Sequence, residues 1–238
     1  MIVMPSNSSG WFWHCLARET GRIGHLYSPG AQRGPWPWFP FALDCNIFKY
    51  WNQETNTVDL ERYDAEMMHQ WVDLISWAAP MGQALWAIVR DVPGNAELTL
   101  QHYETYHRLV VDKDIRPALA VQDGMTPGDV RNLKNKPQVI CVGGTTEWKW
   151  ETVEMWAKEF PWVHVLRCNS PQKLYYLEQL GVKSCDGTGW NRGDKTQTSG
   201  LETWARINPQ PKIYAMSGYV CKNTRRKNGD QQLELFGG

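Results

Sequence analysis

The sequence predicts an α/β fold, a TIM-type (β/α)8 barrel with a somewhat irregular N-terminal quarter. Three observations predict it. Short apolar runs recur along the 238 residues, and each ends in a polar residue or glycine before a turn. Helical patterns fill most of the intervals, as parallel strands with crossover helices require. The length suits a closed barrel, typically about 250 residues. No G-x-G-x-x-G follows the first run and no P-loop occurs, so nucleotide-cofactor folds lose support.

The elements follow in order. Residues 1–4 form a first strand that ends in the polar loop 5–10. Residues 11–18 suit a helix with Ser9 or Gly10 near its cap. Residues 22–27 suit a second short strand, ended by Ser28-Pro29-Gly30. The segment 34–40 holds three prolines and must be an extended entry to the strand 41–43, which stops at Asp44. Met67, Met68, Trp71, Leu74, Ile75 and Ala78 recur at helical spacing, so residues 61–78 read as one helix stopped by Pro80. The run 85–90 ends in Asp91 and Pro93-Gly94, and residues 97–111 form the next helix. Residues 118–121 end in Gln122-Asp123-Gly124. Thr126 then caps a short helix to residue 133, with Pro127 in its first turn. Residues 139–142 end in Gly143-Gly144, and Thr145 or Thr146 caps a helix to residue 160. Residues 163–166 end in Arg167-Cys168-Asn169, and a helix from Ser170-Pro171 stops at Gly181. Residues 182–185 end in Asp186-Gly187, and 190–207 is less regular. The barrel spans 1–207. Residues 208–238 form a basic extension partly packed on it.

Charge gives no prior for nucleic acid, since 25 Lys and Arg balance 25 Asp and Glu. Its distribution says more. Residues 187–229 carry eight basic side chains against two acidic ones, either a solvated tail or a phosphate-contacting surface. None of the six cysteines forms a C-x-x-C pair, so they read as reduced and structural in a cytoplasmic protein. The apolar start breaks at Pro5 and no apolar run reaches spanning length, so no membrane is expected. Trp11, Trp13, Trp36, Trp38 and Trp51 crowd the first quarter. Such aromatics either close one end of a barrel or wall a pocket for an unstacked base.

In a parallel barrel the carboxyl ends of the strands share one rim, and chemistry sits there. Asp44, Asp91, Gln122, Gly143, Gly144 and Asp186 are therefore expected in one pocket. Any one aspartate is explained as a turn or cap residue. Three together would repel without a task. Carboxylates on one rim suit glycosidic bond cleavage, with one group attacking the anomeric carbon or activating water and another protonating the leaving group. Gln122 suits the edge of a heterocycle, and paired glycines let backbone amides approach a carbonyl. No motif asks for a cofactor.

The ordered motifs Leu43-Asp44-Cys45-Asn46-Ile47-Phe48, Asp91, Ala120-Val121-Gln122-Asp123-Gly124, Val142-Gly143-Gly144 and Cys185-Asp186 resemble the tRNA-guanine transglycosylase superfamily. The likeness is closer to its compact, DpdA-like members that act on DNA, and covers roughly residues 1–205. The resemblance implies that Asp186 is the nucleophile on C1′ or the group that orients water, and that Asp44 contacts the base and handles protons. It implies that Asp91, Gln122 and the Gly143-Gly144 backbone bind the base, with Asn7, Asn46 and Trp148 as further pocket candidates. Lys149, Arg192, Arg225, Arg226 and Lys227 are the candidates for the DNA backbone. The general acid is open between His25, Asp44 and none at all. Only Cys221 follows Asp186 among cysteines and no histidine follows His164, so the structural zinc of the tRNA enzymes is not expected.

The expected activity is a DNA glycosylase acting on a flipped, modified base and leaving an abasic site. Glucosylated hydroxymethylcytosine of phage DNA is the substrate that the resemblance suggests, in antiviral defence. The alternatives are exchange of guanine for a 7-deazaguanine in DNA, a non-catalytic DNA-binding protein, and a hydrolase of free glycans.

Overall fold

The computed structural model describes residues 1–5, 10–30, 39–52, 54–55, 57–192 and 195–207. The expected extended entry 34–38, Trp36, Trp38 and the extension 208–238 lie outside them.

Eight parallel strands form one sheet: β1 (Ile2–Pro5), β2 (His25–Tyr27), β3 (Phe41–Leu43), β6 (Ala84–Ile88), β7 (Pro117–Val121), β8 (Val139–Val142), β9 (Val163–Val165) and β10 (Ser184–Gly187). The strands β4 (Trp51–Asn52) and β5 (Thr57–Val58) form a separate antiparallel ribbon. The order around the sheet is β1-β10-β9-β8-β7-β6-β3-β2. The ring nearly closes at β1 and β2, where Val3 donates to the Arg22 carbonyl and the Gly24 amide donates to the Val3 carbonyl, both at 2.8 Å. A Cβ on Gly24 would lie 2.7 Å from the Pro40 carbonyl oxygen, so only glycine permits this approach. The strands are apolar on both faces, as a ring packed inside and out demands. Every residue of β7 and β8 is buried.

The helices are α1 (Trp11–Thr20), α2 (Leu60–Glu66), α3 (Met68–Ala78), α4 (Ala96–Val111), α5 (Pro127–Asn132), α6 (Thr146–Glu159), α7 (Pro171–Gln179), α8 (Gly189–Arg192) and α9 (Lys195–Ile207). Their starts follow local chemistry. Asn95 caps α4 by accepting from the Leu98 amide at 2.9 Å. Thr126 and Asp129 form a reciprocal capping box on α5. Thr145 caps α6.

One expected helix is two. The pattern 61–78 breaks at Met67, whose φ of −122° turns the chain between α2 and α3. Tertiary packing accompanies the break: Tyr63 is buried and its hydroxyl donates to the Cys45 carbonyl at 3.0 Å, beside the Asp44 turn. The tryptophans of the described residues serve mainly the core, since Trp71, Trp86, Trp156, Trp190 and Trp204 are fully buried. Arg22 is buried too, with its guanidinium 3.5 Å over the Trp204 ring and paired with Glu178, which fastens α9 and α7 to the seam.

Cys45, Cys141, Cys168 and Cys185 are buried free thiols, as expected. Cys15 corrects that reading, because its sulfur is in a disulfide. Pairing depends on Cβ atoms meeting within about 4 Å, which spacing along the chain does not reveal. No described helix is long and apolar enough to cross a membrane.

Candidate functional site

Each strand delivers its terminal residues to the carboxyl rim. Asp44 follows β3, Asp91 follows β6, Gln122 follows β7, Gly143 and Gly144 follow β8, and Asp186 lies in β10. All six line one cavity of about 110 Å³, together with Leu26, Ile47, Phe48, Ile88, Pro93, Leu166 and Arg167. A larger open groove of about 570 Å³ lies at α7 and α9, but no carboxylate lines it. The smaller cavity is where titratable groups meet, so it is the candidate site.

Asp186 is held from below. Its Oδ1 accepts from the Arg167 backbone amide and from His164 Nε2, both at 3.1 Å. The His164 Nδ1 lies 2.8 Å from the Ser184 hydroxyl, so the ring accepts from serine and donates to the carboxylate. Ser184 and Asp186 are two apart on β10 and share a face, and Ser184 stands in register with His164 on β9. Trp86 packs edge-on against His164 at 4.5 Å. Among the described residues nothing donates to Asp186 Oδ2, which leaves that oxygen for the cavity.

The other two carboxylates are kept short of charge. Asp91 accepts from Gln122 Nε2 at 2.9 Å and from the Cys45 thiol at 3.3 Å. Burial pushes Asp91 up to about 7, with the Asp44 charge adding to it. Burial likewise lifts Asp44 to about 6. The Asp186 charge adds to that, while the Asn46 amide and the Ser28 hydroxyl act against it. The Ser28 Oγ stands 3.3 Å from Asp44 Oδ2. Near neutrality Asp91 is thus about half protonated and Asp44 is mostly ionised but still able to take a proton, while Asp186 is held by two donors.

Several expected roles change. Lys149 does not face solvent: it is 2% exposed, and its ammonium donates to the Leu166 carbonyl at 2.8 Å and the Arg167 carbonyl at 3.4 Å. Burial lowers it to about 8, with the Arg167 charge adding. It fastens the end of β9 where an exposed cation was expected. The Gly143 amide is spent on the Val121 carbonyl at 3.0 Å, so only the Gly144 amide is left to approach a ligand. Asn46 acts through its backbone, with φ of 58°, and neither it nor Trp148 lines the cavity. Trp148 packs on Trp156 instead. His25 lies between Tyr27 and Phe39, at 4.1 and 5.7 Å, and does not line the cavity either. Arg192 is exposed on α8, outside the lining. Asn7, Arg225, Arg226 and Lys227 lie outside the described residues.

The sequence reading missed His164, Ser184, Cys45 and Arg167. Their signal was position alone, since each sits in or beside a strand that ends at the rim. Among the described residues no group of three or more His, Cys, Asp or Glu side chains is placed to hold a metal ion.

Gly144 is a tight steric constraint at the rim. Its φ is +68°, and a Cβ there would run into the Asp123 carboxylate and lie 2.7 Å from the Trp148 ring. Asp123 is committed at that place, accepting from the Thr145 amide at 2.7 Å and its hydroxyl at 2.5 Å. Gly144→Ala is expected to cost about 2 kcal/mol of stability in urea unfolding, from left-handed strain plus the clash. A variant as stable as the parent would mean that the turn relaxes freely.

No protein-family model matches the sequence, and no curated protein matches it. Among solved structures, the chain is similar to one from the tryptophan synthase α2β2 complex of the hyperthermophile Pyrococcus furiosus, with TM-score 0.43 and 10% identity. That match covers 70% of this chain and 64% of the other. A likeness so distant says nothing of activity. The fold rests on the strand order itself: eight parallel strands in a nearly closed ring with helices outside, an architecture typical of enzymes that place their sites at this rim.

Proposed function

We propose that this protein cleaves the N-glycosidic bond of a nucleotide in DNA, with the target base turned out of the stack into the rim cavity. The observation that carries the reading is the meeting of Asp44, Asp91 and Asp186 with Gln122 and the Gly144 turn around one hollow. The resemblance to DNA-acting transglycosylase relatives supplies the substrate class.

The chemistry assigns each acid a task. Asp186 Oδ2 attacks C1′, or orients a water that does so, while Oδ1 stays tied to Arg167 and His164. The C1′–N bond breaks with its electron pair going to the base. Asp44 gives the departing base its proton, a task that its raised pKa suits. Gln122, fixed by Asp91, presents its carbonyl oxygen to the base edge. On the covalent route water then attacks C1′, the C1′–Oδ2 bond breaks, and the Asp44 carboxylate takes the water proton, leaving an abasic site; on the direct route Asp186 takes that proton as the water attacks.

Cavity size favours a second reading for the outcome. At about 110 Å³ the hollow is well below the roughly 300–1,000 Å³ of ordinary ligand pockets and suits a bare base. A glucosyl arm would project through the mouth. Exchange of an unadorned base, with a 7-deazaguanine entering, fits inside.

Incubation with phage DNA carrying glucosylated hydroxymethylcytosine, and with guanine-containing DNA plus labelled deazaguanine, separates the outcomes. Released base by mass spectrometry and strand breaks in alkali mean hydrolysis. Label in intact DNA means exchange. DNA left unaltered on every substrate ends the proposal.

A further inference from the structure

Arg167 is an unusual residue for its position. It follows β9 with φ of 56°, a left-handed conformation that side chains other than glycine and asparagine resist. Three contacts hold it there. Its amide donates to Asp186 Oδ1 at 3.1 Å, its carbonyl accepts from the buried Lys149 ammonium, and its guanidinium reaches across to the Gly144 carbonyl. The guanidinium also lies 4.9 Å over the ring of Phe48, which is 47% exposed and stacked on Trp51 at 6.1 Å.

Charge gives the arrangement a purpose. Three aspartates line the cavity, and Arg167 is the one cation among its described lining residues. A polyanion brought to three carboxylates meets repulsion unless a cation stands at the mouth. The guanidinium has five N–H donors in a rigid fork, and among the described residues its named hydrogen bond is to Gly144 alone. Arg167 is also exposed where it lines the cavity. Lys149, one of the residues first expected on the DNA backbone, is buried.

We propose that Arg167 is the phosphate-binding residue of this site, its guanidinium holding the phosphodiester next to the extruded nucleotide while its backbone amide fixes Asp186. The proposal deepens the reading given above and rests on it for the class of ligand. One residue then ties substrate placement to the orientation of the attacking carboxylate. The Phe48 ring lies against the guanidinium and steadies its position at the cavity.

Arg167→Gly is the informative variant. Glycine favours the backbone conformation and keeps the amide on Asp186, so the unfolding midpoint should not fall. Arg167→Lys retains the charge without the fork. Binding of a fluorescein-labelled single-stranded oligodeoxynucleotide is followed by anisotropy across a sodium chloride series. The slope of log affinity against log salt is expected to shrink by about 0.7 in Arg167→Gly, the value for one phosphate on a single strand, and to stay near that of the parent in Arg167→Lys. In base-release assays KM should rise about tenfold or more in Arg167→Gly, with kcat changing less. An unchanged slope and KM would overturn the assignment. Slope loss without base release by the parent would uphold the phosphate contact and sink the glycosylase reading. Base release with a slope indifferent to Arg167 would do the reverse.

Discussion

Asp186→Asn is expected to reduce base release by roughly 10³-fold or more while leaving the fold in place. Asparagine keeps an oxygen where Oδ1 now accepts from the Arg167 amide and His164. Shape and both donors therefore stay satisfied. What disappears is the negative charge on the oxygen that faces the cavity. Asp186→Ala should be equally inactive but less stable, by about 1–3 kcal/mol, because it strands a buried imidazole N–H and a backbone amide. Single-turnover base release and urea unfolding, run on both variants, make the comparison. Turnover near that of the parent in Asp186→Asn would remove this residue from the chemistry. A collapsed fold in that variant would make it a structural acid.

Asp91→Asn is expected to do the opposite to stability. The Asp91 pKa is raised from the ordinary carboxylate value of 3.8 to about 7 by burial. The native state therefore binds more protons than the unfolded chain between those values. By linkage, stability falls as pH rises through this window and stays low above it. The full difference corresponds to about 4 kcal/mol. Asparagine has no charge to bury and still accepts from Gln122. The variant should be more stable than the parent by about 2–4 kcal/mol at pH 8, and the gap should close near pH 4. Base release should fall at least tenfold, because an amide NH2 replaces the oxygen that now accepts from the Cys45 thiol and disturbs the wall that holds Gln122. Urea unfolding at a series of pH values tests it. A parent protein whose stability climbs between pH 4 and 7, with no gain from the substitution, would show that Asp91 is charged and well paired. This is the exchange expected at a working site, where a costly group is retained for its task.

Much of the site was legible in the sequence because strand ends are punctuated. A run such as Val139–Val142 halts at Gly143-Gly144, and parallel connectivity sends every such stop to the same rim. That logic brought Asp44, Asp91, Gln122, Gly143, Gly144 and Asp186 together without any spatial information. It failed where a side chain's direction mattered more than its place in the chain. Lys149 sits in a helix beside Glu147 and Glu151, so its charge reads as solvated. In the structure α6 carries it over the end of β9, and two carbonyls take its ammonium. His164 reads as one polar residue in an apolar strand, and only the register with Ser184 reveals the chain of hydrogen bonds to Asp186. Arg167 reads as a turn residue because a left-handed φ leaves no trace in residue type when glycine is not used. The break at Met67 was hidden for a similar reason: helical periodicity continues through it, and the burial of Tyr63 beside the Cys45 carbonyl is a tertiary fact.

The position of β10 in the ring has one more consequence. It lies between β1 and β9, so the last of the described strands to be synthesised inserts beside the first. Asp186 travels on that strand. A chain cut short anywhere before residue 184 would carry Asp44 and Asp91 but neither Asp186 nor the strand that joins β9 to β1. Closing of the described ring and arrival of Asp186 at the rim are therefore one event, and both wait until most of the chain has been made.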